Sequence, residues 1–210
     1  MYVGRIVAVG RTLSGRAAAL YRVSSRSFPN RMAKIIGQSV AILPKPGHEK
    51  MVLESPYVSY NCVRFAGTFC IAANGSQTDP ITEKIASGMH PRDALTSVLL
   101  AMDYEKDSYK TPRIAAVVSV GGETAFLGIA RHDALIVKEL TIRPGEAFWV
   151  STYETNEVTD AQRTDFDAAD AAAGAKFAVS GGRFAEMTNA VTAVCALETA
   201  GRFELATLDV

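Results

Sequence analysis

The chain has 210 residues, 48% hydrophobic and 21% charged, with Lys plus Arg and Asp plus Glu equal at 22 each. A chain of this length fits one domain burying roughly 70% of its unfolded surface, and its ordinary composition excludes disorder and fibrous repeats. Zero net charge supplies no field to gather a nucleic acid or a membrane surface, so an anionic ligand must be held by a local cluster.

Met1–Arg5 lacks a basic start followed by a long apolar stretch, and runs such as Ile114–Val118 are far shorter than the ~18 residues of a membrane span. A soluble, cytoplasmic protein is expected. Tyr2–Val9 and Ala17–Val23 predict an opening hairpin across Arg11–Gly15, followed by a polar loop over Ser24–Arg31. Ser39–Leu43, Tyr57–Phe65 and Phe69–Ala73 predict further strands. Pro80–Gly88 and Pro91–Lys106 predict helices, since Pro suits a first turn and Leu95, Val98, Leu99 and Met102 recur at helical spacing. Arg113–Val120, Thr124–Ala130, Ala134–Leu140 and Ala147–Tyr153 predict a strand-rich block, Ala168–Val179 a helix, and Val191–Leu197 with Phe203–Leu208 a closing hairpin.

Several strands, among them Ile114–Val118 and Val191–Leu197, are apolar or small at odd and even positions alike, so both their faces must be covered. Two stacked, mainly antiparallel sheets with helices outside satisfy that demand, which predicts an α+β chain in a four-layer αββα sandwich. No linker or repeat divides it, so residues 1–210 are read as a single catalytic domain.

Candidate chemistry lies in clusters. Arg22, Ser24, Ser25, Arg26 and Arg31 suit a phosphate, because guanidinium forks match its oxygens and hydroxyls add donors; the same composition also suits a basic surface loop. Tyr60, Asn61 and Cys62 stand near Asn74-Gly75-Ser76; a mid-strand Asn61 must find partners in the backbone or in a ligand, and Asn74-Gly75-Ser76 also reads as a turn. Asp103, Tyr104, Glu105, Lys106 and Asp107 close the second predicted helix. Extending the helix puts Lys106 on its apolar side, which calls either for a partly buried ion pair or for a helix that stops earlier. Cys62, Cys70 and Cys195 are odd in number and lack C-x-x-C spacing, and His48, His90 and His132 are isolated, so neither a disulfide framework nor a metal site is expected. These clusters alone describe an enzyme or a binding protein for an anionic small molecule.

Taken in order, Tyr21–Arg31, Tyr60-Asn61-Cys62, Asn74-Gly75-Ser76, Asp103–Asp107 and Thr111–Ala115, with Gly4–Gly10 and Ser151–Glu154, resemble the archaeal-type IMP cyclohydrolases. The resemblance covers almost the whole chain and thins between about Asn156 and Glu186. It implies ring closure of 5-formamidoimidazole-4-carboxamide ribonucleotide (FAICAR) to inosine monophosphate (IMP), the last step of IMP biosynthesis, with no cofactor and in a homo-oligomer. It implies the scaffold of the N-terminal nucleophile hydrolases too, although residue 2 is Tyr where those hydrolases expose Cys, Ser or Thr, so acyl-enzyme chemistry is not expected. On this resemblance the 5′-phosphate is assigned to Arg22, Arg26 and the neighbouring Ser24 and Ser25, and orientation of the base or formyl group to Tyr60, Asn61 and Asn74. Asp103, Tyr104, Glu105 and Lys106 are assigned acid/base and electrostatic roles, with Tyr60 among the catalytic candidates and Arg113 at the substrate.

Overall fold

The computed structural model describes residues 1–210. In chain order the strands are β1 (Arg5–Arg11), β2 (Ala17–Ser24), β3 (Arg31–Ile36), β4 (Ser39–Pro44), β5 (Tyr60–Ala66), β6 (Phe69–Ala73) and β7 (Arg113–Ser119). They continue as β8 (Thr124–Ala130), β9 (Leu135–Thr141), β10 (Glu146–Ser151), β11 (Arg163–Asp165), β12 (Ala190–Thr199) and β13 (Arg202–Asp209). The helices are α1 (Met51–Glu54), α2 (Thr78–Ala86), α3 (Pro91–Met102) and α4 (Ala171–Ser180).

Six strands form one sheet in the order β11-β10-β1-β2-β12-β13, and seven form a meander in chain order from β3 to β9. Every pairing is antiparallel. The expected opening hairpin pairs Val7 with Tyr21, and the expected closing hairpin turns at Ala200-Gly201.

Alternation along the strands fills three apolar layers. Val7, Val9, Tyr21 and Val194 of the first sheet meet Ile42, Cys62, Ile114 and Val118 of the second in a core between the sheets. On the outer face of the first sheet, Ile6, Ala18, Leu20 and Trp149 meet Ala171, Ala175 and Ala178 of α4. Gly174 lets that helix approach closely, since a Cβ there would stand 2.3 Å from Cys195 Sγ. On the outer face of the second sheet, Ile71, Ala115 and Val117 meet Ile81, Leu95 and Leu99 from α2 and α3. Both faces of the small-residue strands are therefore covered, as their composition requires. No helix is long and apolar enough to cross a membrane.

Helix α1 and strand β11 have no counterpart in the sequence reading, and two further elements depart from it. Strand β3 begins at Arg31, at the end of the expected loop; its sequence RMAKII lacks clean alternation, and Ile35 and Ile36 remain exposed. Helix α3 stops at Met102, four residues before the expected end: Asp103 takes φ 56° while its N–H still reaches Leu99 O, and the chain turns away. Asp103–Asp107 is consequently loop, and Lys106 never meets the helix's apolar stripe.

Candidate active site

The parity that builds the core also aims polar residues into it. On β1 the inward row runs Arg5, Val7, Val9; on β3 Arg31 precedes the inward Ala33; on β5 Tyr60 precedes the inward Cys62; on β2 Tyr21 precedes the inward Val23. At this end the layer between the sheets turns from apolar to polar. A cavity of about 940 Å³ opens there, lined by Tyr2, Arg5, Ser25, Arg26, Ser27, Phe28, Arg31, Tyr57, Glu105, Asp107, Tyr153 and their neighbours.

Arg5 donates from Nη2 to Glu105 Oε2 at 2.8 Å, and the Glu105 carboxylate is buried. The break at Asp103 makes this possible, because it frees the chain to bring Glu105 back, where its N–H donates to Thr111 O. Burial pushes the Glu105 carboxyl above its ordinary range, and the Arg5 and Arg113 charges pull it back only in part. Burial also disfavours the Arg5 charge, but Glu105, with smaller contributions from nearby tyrosines, more than offsets that and holds the guanidinium above its ordinary pKa. Glu105 Oε1 and Arg5 Nε are buried with no protein partner. Native proteins leave few such groups; Arg113 Nε, Trp149 Nε1 and Thr192 Oγ1 are others, but only Arg5 and Glu105 line the cavity, where a ligand has access to them.

Around this pair the cavity is basic and aromatic. Arg31 is buried and donates from Nε to Phe28 O, and desolvation lowers its pKa. The Arg26 guanidinium lies 4.0 Å from the centre of the Tyr2 ring, and Tyr2 stacks on Tyr153 at 6.0 Å. Gly4, at φ +69°, permits this closeness, since a Cβ there would fall 2.2 Å from Thr152 Oγ1 and 2.8 Å from the Tyr153 ring. Tyr60 and Tyr21, which do not line the cavity, share a buried hydroxyl–hydroxyl bond of 2.6 Å. Burial raises the Tyr60 pKa against the pull of Arg31 and Arg5, so the phenol stays protonated.

The sequence-expected residues divide sharply. Ser25, Arg26, Glu105 and the neighbouring Arg31 and Asp107 meet at the cavity. Arg22 does not. It shares the outward parity of Ala18 and Leu20, and its donors go to the carbonyls of Ala178, Val179, Phe184, Met187 and Thr188 and to Ser24 Oγ. Arg22 thus ties the end of α4 and the turn after it to the sheet, Ser24 is its acceptor, and neither lines the cavity.

Asn61 donates to Asp79 on α2 at 2.9 Å, on the outer side of β5. Asn74 is buried and spent on backbone: it donates to Pro112 O and accepts from the N–H of Ile114 and from Gln77. Arg113 donates to Gln77 Oε1 at 2.9 Å, behind the cavity. Asp103 and Lys106 form an exposed ion pair, and Lys106 Nζ also sits 3.7 Å from the centre of the Tyr104 ring. None of these side chains lines the cavity. Arg5, Tyr2, Tyr57 and Tyr153 do, though composition gave no hint of them; for Arg5 the available signal was a charge at the inward parity of Val7 and Val9. No group of three or more His, Cys, Asp or Glu is placed to hold a metal ion.

A family model described as IMP cyclohydrolase-like protein matches residues 2–202. Among curated relatives, a protein of Methanosphaera stadtmanae named IMP cyclohydrolase is 44% identical over 196 residues, covering 93% of this chain and 94% of its own length. One of Halobacterium salinarum with the same name is 49% identical over 180 residues, 86% of this chain and 85% of its own. A third, from Methanocella arvoryzae and also named IMP cyclohydrolase, is 54% identical over 155 residues, 73% and 75% of the two chains.

Proposed function

The chain belongs to the IMP cyclohydrolase-like family, and from that premise we propose that its cavity closes FAICAR to IMP with loss of water. One observation carries the chemical side of this reading: the buried Arg5–Glu105 pair, with Glu105 Oε1 unpartnered, at the wall of a cavity that also holds Arg26 and Arg31.

The two reacting groups already belong to one molecule, so the protein's first task is to hold the rotamer in which they meet. The carboxamide nitrogen attacks the formyl carbon and passes a proton to Glu105 Oε1. As the new C–N bond forms, the formyl oxygen becomes anionic and the Arg5 guanidinium stabilises it. That oxygen takes up the proton from the nitrogen and, as the C=N bond forms with loss of the formamido N–H proton, a second one; it leaves as water. The protonated Tyr60 phenol supports the same oxygen electrostatically. No covalent intermediate is needed. A correctly placed acid or base contributes about a hundred- to ten-thousandfold.

The 5′-phosphate falls to Arg26, Arg31, Ser25 and Ser27, which line the same cavity. Asn61, Asn74 and Arg113 brace the strands and loop behind the reacting groups, while Asp103, Tyr104 and Lys106 shape the turn that delivers Glu105. The layering of helix, sheet, sheet and helix pair supports an N-terminal-nucleophile-hydrolase-like scaffold, with Tyr2 in the cavity in place of a nucleophile. The reading carries with it a cytoplasmic homo-oligomer that uses no cofactor. Incubating the purified protein with FAICAR, without folate or metal, and following IMP should show turnover; a rate equal to that in buffer overturns the proposal.

A further inference from the structure

Tyr153 ends a chain of hydrogen bonds whose direction is fixed from its far end. Asp107 accepts twice from Thr111, at Oδ1 from the backbone N–H at 2.9 Å and at Oδ2 from the hydroxyl at 2.6 Å. Thr111 is fully buried and its hydroxyl has one hydrogen. Spent on Asp107 Oδ2, that hydrogen cannot also serve the Tyr153 hydroxyl 2.7 Å away, so in this contact the phenol donates and Thr111 Oγ1 accepts. The reverse arrangement would take from Oδ2 its charge-assisted donor, the stronger of the two interactions. Tyr153 therefore offers the cavity lone pairs alone.

The neighbours of Tyr153 say what part of a ligand it meets. Its ring stacks on Tyr2, which carries the Arg26 guanidinium of the phosphate end. On the other side it lies within the field of Arg5, which pairs with Glu105. A mononucleotide laid from Arg26 to Glu105 passes phosphate, sugar and base in that order, with the sugar at Tyr153. With its one hydrogen committed to Thr111, the Tyr153 oxygen can meet a sugar hydroxyl only as an acceptor. We propose that Tyr153, locked as an acceptor by Asp107 through Thr111, is a specificity-determining residue that takes a hydrogen bond from a ribose hydroxyl and so selects ribonucleotides over analogues able only to accept. This rests on the IMP-forming reading of the same cavity. Thr111 and Asp107 are positioning residues in it.

The test compares dissociation constants, by calorimetry, for IMP and its 2′-deoxy-2′-fluoro and 3′-deoxy-3′-fluoro analogues, whose fluorine cannot donate. The parent protein should bind IMP about tenfold more tightly than one of the two analogues. In Thr111→Val the phenol keeps its place and its ring but not its fixed direction, and the preference should shrink to within twofold. Tyr153→Phe should also abolish it, and Thr111→Ser, which restores the relay, should restore it. A merely structural role for Thr111 would weaken all three ligands alike. A preference that survives in both Thr111→Val and Tyr153→Phe, or a parent with none at either position, overturns this inference alone. A parent that does not bind IMP overturns the reading beneath it as well.

Discussion

Arg22 and Arg5 stand on adjacent strands of one sheet, and both are largely withdrawn from water, but they occupy opposite faces. On the outer face every nitrogen of Arg22 finds an acceptor, chiefly carbonyls at the end of α4. On the inner face Arg5 has a carboxylate at one end and an unpartnered Nε at the other. Burial lowers the Arg22 pKa to about 10, still charged at neutral pH, so both are cations. The difference lies in hydrogen-bonding capacity: one guanidinium is saturated by its own chain and can only hold it together, while the other retains capacity for a guest. Neither burial nor residue type separates a structural arginine from a functional one.

Substitutions turn this contrast into measurements. The largest effect is expected at the unsaturated site: Glu105→Gln should lower kcat by about a hundred- to ten-thousandfold with KM little altered. Its pH dependence sharpens the point. With Glu105 as the proposed base, kcat/KM should be low where it is protonated and rise as pH climbs through its pKa. Because burial raises that pKa, the acid limb should lie above the ordinary glutamate value of about 4.3, and Glu105→Gln should erase the limb. A limb at the ordinary value, or one that persists in the variant, would take the base role from Glu105.

At the saturated site the loss should appear in stability. Arg22→Ala strips its donor from the carbonyls at the end of α4 and should destabilise the fold by about 3–5 kcal/mol, seen in denaturant unfolding. The fraction that folds should keep the parent's KM. Arg26→Ala should do the opposite: unfolding unchanged, and KM for the nucleotide raised about tenfold to a hundredfold as phosphate contacts are lost. If Arg22→Ala raised KM as Arg26→Ala does, the division between the two faces would fail. The smallest effect belongs to Lys106, exposed and paired with Asp103, where Lys106→Ala should leave steady-state turnover within twofold of the parent.

The layered fold was legible because small apolar strands demand cover on both faces and because turns such as Ala200-Gly201 and Gly121-Gly122 mark their own hairpins. Of the site, the Ser25–Arg31 loop and the stretch around Glu105 could be read as clusters. Which arginine of the cluster faces the cavity could not, since parity within β2 points Arg22 away from it whatever its composition suggests. Asn61 and Asn74 illustrate the same limit. A polar residue that must find a partner is a sound expectation, but only geometry shows that their partners are Asp79 and the backbone around β7. Asp103 shows another: periodicity favoured four more helical residues, and a single left-handed residue ended the helix, a tertiary choice that local pattern does not encode.

The contact between Arg5 and Glu105 has a mechanical meaning as well as a chemical one. Arg5 rides on one sheet, and Glu105 rides on the segment that links α3 to the other, so the pair bridges a joint between two halves of the molecule. Sliding one half against the other by little more than an ångström would part the carboxylate proposed as base from its guanidinium while leaving every strand ladder intact. Warming that merely loosens this joint would therefore silence the enzyme before it melts.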